Sequence, residues 1–237
     1  MATGTRDVQF LKRKRLLVAG IATLLLFILV AVLVVLMVTQ AYDSSVALAM
    51  NKNLGPQFTA VMSAASNYGR EYFWSGIVAL MFIFGNRNTK IYALELGVLL
   101  VGGIIVGESL KMLIYRERPY GEALSGIILR APADTDSSFP SGHALIVSIG
   151  AIFVLTRFKK NGKIIPILLA IEAAIVCYSR IYLGLHYPMD VLGGVLVGAT
   201  IVFIGLAIIE NYFAKVFDSV GTWFQKRFRS IRVPEVF

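Results

Sequence analysis

Apolar positions run in long uninterrupted stretches along the chain, and polar positions gather between them. Leu16 to Thr39 carries no charge and follows Lys12-Arg13-Lys14-Arg15. At about 1.5 Å per residue such a stretch crosses a hydrocarbon core of about 30 Å. A cleavable signal peptide has a shorter apolar region, about 7–15 residues, so the pattern predicts an uncleaved anchor. Further apolar segments fall at 69–85, 91–110, 143–158, 164–183 and 189–213, which makes six predicted spans. The second is the weakest because Arg70-Glu71 opens it, and Tyr68, Tyr72 and Trp74 are expected to anchor its outer end at the interface. Between the first two spans, Val46, Met50, Leu54 and Phe58 recur at helical spacing, and Gly55-Pro56 suits a break and restart. Residues 41–68 therefore read as an amphipathic helix on the outer leaflet or as a packed external loop.

Composition agrees with a membrane chain: 57% hydrophobic, 16% charged, mean hydropathy +0.74, against about 25% charged in an ordinary soluble domain. For 237 residues we expect one all-α, polytopic bundle rather than several domains. The single cysteine, Cys177, excludes an internal disulfide and a Cys-based zinc site, and two histidines leave little for a His-rich one. The net charge of +9 calls for an anionic partner or an anionic surface. Its distribution narrows the choice. With the N-terminus cytoplasmic, the six spans place on the inner side Arg6 and Lys12–Arg15, then Arg87 and Lys90, then Arg157, Lys159, Lys160 and Lys163, and finally Lys215, Lys226, Arg227, Arg229 and Arg232. Dropping the second span would move the last two groups outside, against the positive-inside rule. Both termini are thus expected in the cytoplasm. The tail 214–237, with Phe217, Trp223, Phe224 and Phe228 among basic residues, suits an inner-surface helix better than a nucleic-acid site.

The remaining cations are Lys52, Arg70, Lys111, Arg116, Arg118, Arg130 and Arg180, all on the outer side. Three polar clusters use some of them. Lys111 and Arg118 are seven residues apart, two helical turns, and Pro119 follows. Pro140-Ser141-Gly142-His143 opens the fourth span, where a helix start leaves N–H groups free for an anion, although Ser141 also suits a plain N-cap. Ser179-Arg180 leads to His186 and Asp190, four apart, so that a helical turn lets the carboxylate reach the imidazole and fix its tautomer. Together these provide three cations, a helix N-terminus and two imidazoles on one face. That set suits phosphoryl transfer, in which fixed donors surround a group carrying negative charge on three oxygens.

In this order and spacing, Lys111–Pro119 (K-x6-RP), Pro140–His143 (PSGH) and Ser179–Asp190 (SR-x5-H-x3-D) resemble the three signature motifs of the type 2 phosphatidic acid phosphatase (PAP2) superfamily. The motifs span about 80 residues, and every signature position matches. The resemblance implies the six-helix PAP2/haloperoxidase bundle and a metal-independent phosphatase with no cofactor. It implies His186 as nucleophile forming a phosphohistidine, Asp190 as its partner, and His143 as acid and then base. Lys111, Arg118, Arg180, Ser141 and Gly142 would bind the phosphate. The expected partners are a lipid phosphate and membrane lipids, not nucleic acid, with the site on the extracytoplasmic side of the plasma membrane. By analogy the substrate is undecaprenyl pyrophosphate, phosphatidylglycerophosphate or phosphatidic acid. Rivals are a relative acting on a soluble or sugar phosphate, or transferring the phosphate to a second acceptor, and, from another class, a small anion transporter, for which Glu172 is the sole midplane polar candidate.

Other polar positions carry weaker expectations. Glu108, three before Lys111, could orient it or form an edge ion pair, and Glu95 lies near enough to the inner boundary to snorkel. Gly103-xxx-Gly107 and Gly194-xxx-Gly198 suit close helix packing.

Overall fold

A computed structural model describes residues 2–120, 124–158 and 164–209, with 212, 213, 215, 216 and 219 beyond them; side chains are described from Phe10 onward. Lys159, Lys160 and Lys163, and most of the basic tail with its aromatic residues, lie outside the described residues. Among those described the fold is entirely helical: α1 (Ala2–Val35), α2 (Gln40–Met50), α3 (Pro56–Tyr68), α4 (Glu71–Phe84), α5 (Arg87–Leu113), α6 (Gly142–Arg157), α7 (Ile164–Tyr182) and α8 (Pro188–Ile209). Among the described residues four helices are long and apolar enough to cross a membrane: Phe10–Val35 within α1, and α5, α7 and α8. The apolar helices α4 and α6 are shorter, at 14 and 16 residues.

Local chemistry sets several of these boundaries. Gly55 adopts φ +94, a conformation other residues avoid, and Pro56 follows at the start of α3. Asn86 accepts a hydrogen bond from the Thr89 N–H at the start of α5, and Ser141 does the same for Ala144 at α6. The charge-free stretch expected to run unbroken to Thr39 instead ends as a helix at Val35 and turns through residues 36–39, with Met37 at φ 60. Nothing local requires that turn, since Leu36 to Thr39 holds no Gly or Pro. Its cause is tertiary: α2 carries side chains that bond to residues of other elements, described below.

The core centres on α6, buried almost around its whole circumference from Ala144 to Val154. Glycines let its neighbours approach. A Cβ on Gly194 would lie 2.4 Å from the Ser141 carbonyl oxygen, and one on Gly198 would lie 2.7 Å from that of Leu145. Gly103 of α5 faces Ile149, and Gly150 of α6 receives the fully buried Trp74 ring of α4. These are the close approaches that small residues permit between packed helices. On the outside of α8, α1 docks through Gly20 against Ile204 and a Thr200–Thr23 hydrogen bond of 2.9 Å.

Glu95 does not snorkel. It is 3% exposed and pairs with Arg157 at 2.8 Å, and Arg157 also lies over the Tyr92 ring. The long α5 places Glu95 two turns inside the helix, against α6, where only a paired charge is tolerated.

Candidate active site

One end of the bundle gathers the start of α4, the C-termini of α5 and α7, and the starts of α6 and α8. A polar cleft of about 390 Å3 opens there, lined by Lys111, Arg118, Arg180, His143 and His186, by the backbone start of α6 at Gly142, and by Arg70 and Asp134–Asp136.

His186 lies between α7 and α8 and is 1% exposed. Its Nε2 stands 3.3 Å from Arg118 Nη1, while Nδ1 is 3.3 Å from Ser138 Oγ and 3.6 Å from Asp190 Oδ2. The expected His–Asp pairing is thus looser than a hydrogen bond, with the Ser138 hydroxyl beside it donating to Asp190 at 2.5 Å. Burial first, then the positive charges of Arg180, Arg118 and Lys111, hold the imidazole well below its ordinary pKa. The ring is therefore neutral at pH 7, with a lone pair available on one nitrogen.

Asp190 is fully buried in the first turn of α8. It accepts the Tyr187 N–H at 2.8 Å and Arg116 Nη1 at 2.6 Å. Arg116 in turn donates Nη2 to Asp43 at 2.7 Å and to Gln40 at 3.0 Å, and its guanidinium lies 4.2 Å over the Tyr187 ring. Asp43, fully buried, also accepts the Met189 N–H. Burial pushes its carboxyl up, against the pull of Arg116. Arg116, Asp43, Gln40 and Ser138 carry no role in the motif reading. For Arg116 a signal existed, since it is an outer cation two residues before Arg118. Asp43 and Gln40 gave none, because only the fold brings α2 over the start of α8.

The three cations of the motifs converge, but not by the expected route for Arg118. The helix ends at Leu113, and the chain from Ile114 to Arg118 is non-helical, so Lys111 and Arg118 do not share a helix face. The cause is a second set of bonds: the Arg116 N–H donates to Ser137 Oγ and its carbonyl accepts the Ser138 N–H. Both cations nevertheless meet Asp136, which bonds Lys111 Nζ and, at 2.6 Å, Arg118 Nη2. Asp134 takes Arg118 at 3.1 Å and Arg180 at 3.0 Å. Arg180 also donates to Ser66 of α3 at 2.5 Å. Burial raises the Asp136 carboxyl, but its bonds to Lys111 and Arg118 outweigh that and bring it down to about 2. Lys111 thus finds its carboxylate in Asp136, and Glu108 lines the cleft beside it.

His143 stands in the first turn of α6 with Nδ1 3.3 Å from Arg70 Nη1. Gly142 is against the same guanidinium, since a Cβ there would lie 3.5 Å from Arg70 Nη1. Ser141 lies behind the cleft: fully buried, it caps α6 with its hydroxyl and gives its N–H to the Asp190 carbonyl at 2.9 Å.

The PAP2 superfamily model matches residues 92–214, which contain all three clusters. The chain belongs to the PAP2 superfamily. An undecaprenyl-diphosphatase of Sulfolobus acidocaldarius is 39% identical over 159 residues, 67% of this chain and 74% of that protein. Phosphatidylglycerophosphatase B of Bacillus subtilis is 27% identical over 195 residues, 78% of this chain and 91% of its own. Among solved structures, the transmembrane PAP2 type phosphatidylglycerolphosphate phosphatase from Bacillus subtilis superposes with a TM-score of 0.65 at 24% identity, over 85% of this chain and 96% of that one. Aquifex aeolicus LpxE gives 0.61 at 25% identity, over 70% and 94%. The fold is that of the PAP2 membrane phosphatases, and this PAP2 protein is a membrane-embedded phosphatase.

Proposed function

We propose that the chain hydrolyses a lipid phosphate at the extracytoplasmic face of the plasma membrane through a phosphohistidine on His186. The carrying observation is the cleft itself, where a neutral imidazole with Nε2 towards Arg118 faces a space ringed by Lys111, Arg118 and Arg180. In the first step Nε2 attacks phosphorus in line, and the N–P bond forms as the P–O bond to the lipid breaks. The electron pair stays on the departing oxygen, which takes a proton from His143. Burial, then the charges of Arg180 and Arg70, hold that imidazole well below its ordinary pKa, so it becomes the acid beside the bound phosphate, whose negative charge favours the imidazolium. In the second step His143 removes a proton from water, whose oxygen attacks phosphorus. The P–N bond breaks, and inorganic phosphate leaves with His186 restored. The three cations and the Gly142 N–H hold the phosphoryl oxygens. Asp190 steadies the positive charge on His186, and Ser141 contributes by fixing the start of α6.

In this reading α4 and α6 cross the membrane with the four longer helices, both termini are cytoplasmic, and residues 41–68 form the outer cover of a single domain. At 14 and 16 residues, α4 and α6 fall about one to two turns short of the roughly 20 residues of a full span, which suits helices that begin at a recessed cleft. Membership of a lipid-phosphate class is supported by a largely apolar groove of about 400 Å3 between α3, α4 and α7, with Tyr68, Phe73 and Ile171 on its walls and one carboxylate, Glu172, whose oxygens make no hydrogen bond among the described residues. It reaches Gly69, next to Arg70 of the cleft, and offers a path for a lipid tail. The substrates considered are undecaprenyl pyrophosphate, phosphatidylglycerophosphate and phosphatidic acid.

The test is phosphate release from a panel of lipid mono- and diphosphates, with and without chelator. His186→Ala and His143→Ala should each lower turnover by at least about 10²–10⁴-fold, and EDTA should leave the wild type active. Near wild-type turnover by folded His186→Ala would sink the mechanism, and loss of activity in EDTA would refute its independence from metal.

A further inference from the structure

Arg70 belongs to none of the three motifs. It occupies the break between α3 and α4, and its side chain lines the cleft with Nη1 3.3 Å from His143 Nδ1. Its Nη2 pairs with Glu71, whose side chain is 49% exposed and so open to exchange. Its Nε is buried and makes no hydrogen bond among the described residues. Arg118 stands at the same 3.3 Å from His186 Nε2. Each imidazole of the cleft therefore has its own arginine. In an in-line displacement the two imidazoles flank phosphorus, with Arg118 on the attacking side and Arg70 on the leaving side.

We propose that Arg70 binds the leaving phosphate of a lipid diphosphate and makes the enzyme selective for diphosphates over monophosphates. The inference rests on the roles given to His186 and His143 above. With a diphosphate, the bond from His186 Nε2 forms to the terminal phosphorus and the bridging P–O bond breaks. The electron pair remains on the bridging oxygen, which takes the proton of His143, and the lipid departs as a monophosphate that is still anionic. A fixed guanidinium stabilises that product and the charge building up on it, donating from its fork to two phosphate oxygens while Glu71 turns out to solvent. With a monophosphate, the departing oxygen takes the proton of His143 and leaves as a neutral alcohol, to which a fixed cation offers little. If Arg70 merely oriented His143, both substrates would depend on it equally.

The experiment measures kcat/KM of the full chain in detergent micelles for an isoprenyl diphosphate and for the monophosphate of the same alcohol, so that the tail is constant. The diphosphate-to-monophosphate ratio should fall roughly 10–100-fold in Arg70→Gln, the range expected for loss of a charge-assisted hydrogen-bond pair. Arg70→Lys should fall between, since a point charge keeps attraction without the fork. An unchanged ratio, whether both rates drop together or neither does, overturns the proposal. Should Arg70→Gln fail to fold, Arg70→Lys carries the same test, and its ratio must fall. His186→Ala run in parallel separates the two levels of argument. Retained turnover there refutes the site itself, whereas an inactive His186→Ala beside an unmoved ratio removes only the assignment of Arg70.

Discussion

Arg116 holds two buried carboxylates at once, Asp190 behind the His186 ring and Asp43 on α2. Replacing it by methionine leaves both without their cation in a dry setting, which should cost about 3–5 kcal/mol. Thermal denaturation in detergent would measure this, and adding Asp43→Asn should recover part of the loss, giving a non-zero coupling in a double-mutant cycle. His186 itself makes a prediction in pH. Its pKa is depressed by burial and by Arg180, Arg118 and Lys111, so the neutral ring, the nucleophile of the proposed mechanism, persists as pH falls below about 6.5, the ordinary histidine value. Removing one of those charges raises the pKa, and the acid limb of kcat/KM in Lys111→Gln should therefore move to higher pH than in the wild type. The second ionisation of a phosphate, near pH 6, overlaps with this limb. The displacement between the two proteins is accordingly the quantity to read, and no displacement would mean that His186 does not set the limb.

The helices were largely legible from the pattern of apolar runs, because a run without charges has few alternatives in a membrane chain. The start of α6 was legible for the same reason that it works: Ser141 is a good cap and Gly142 leaves room. Two features were hidden. The turn at residues 36–39 interrupts an apolar stretch only because Asp43 and Gln40 must reach Arg116, and the extended segment 114–118 exists because its backbone pairs with Ser137 and Ser138. Both are set by contacts between residues distant in sequence, which no local period encodes. Glycine spacing in α8 was visible, and the structure gives it a sharp test. Gly194→Ala forces a methyl group against the Ser141 carbonyl oxygen, 2.4 Å away, directly behind the cleft. It should lower both the melting temperature and turnover, by about 1–3 kcal/mol in stability. Gly76 of α4 has nothing within 4 Å of a new Cβ, so Gly76→Ala should leave both measurements near the wild type.

At the scale of the whole molecule, an excess of positive charge divides between basic segments at the ends of the apolar runs, placed in the cytoplasm by the proposed topology, and a few cations gathered in one cleft. In the structure those cations are not bare. Asp134 and Asp136, from a single loop, already occupy Lys111, Arg118 and Arg180. On the proposed mechanism substrate entry is therefore an ion exchange, in which a phosphate takes the place of two tethered carboxylates that then return to water. An open cationic site loses affinity steeply as salt screens it, whereas an exchange of one anion for another is screened on both sides of the equilibrium. KM should thus climb only gently with ionic strength in the wild type and more steeply once Asp134→Asn and Asp136→Asn empty the site of its resident charge, so that the loop acts as a built-in counterion that buffers the enzyme against the salt around it.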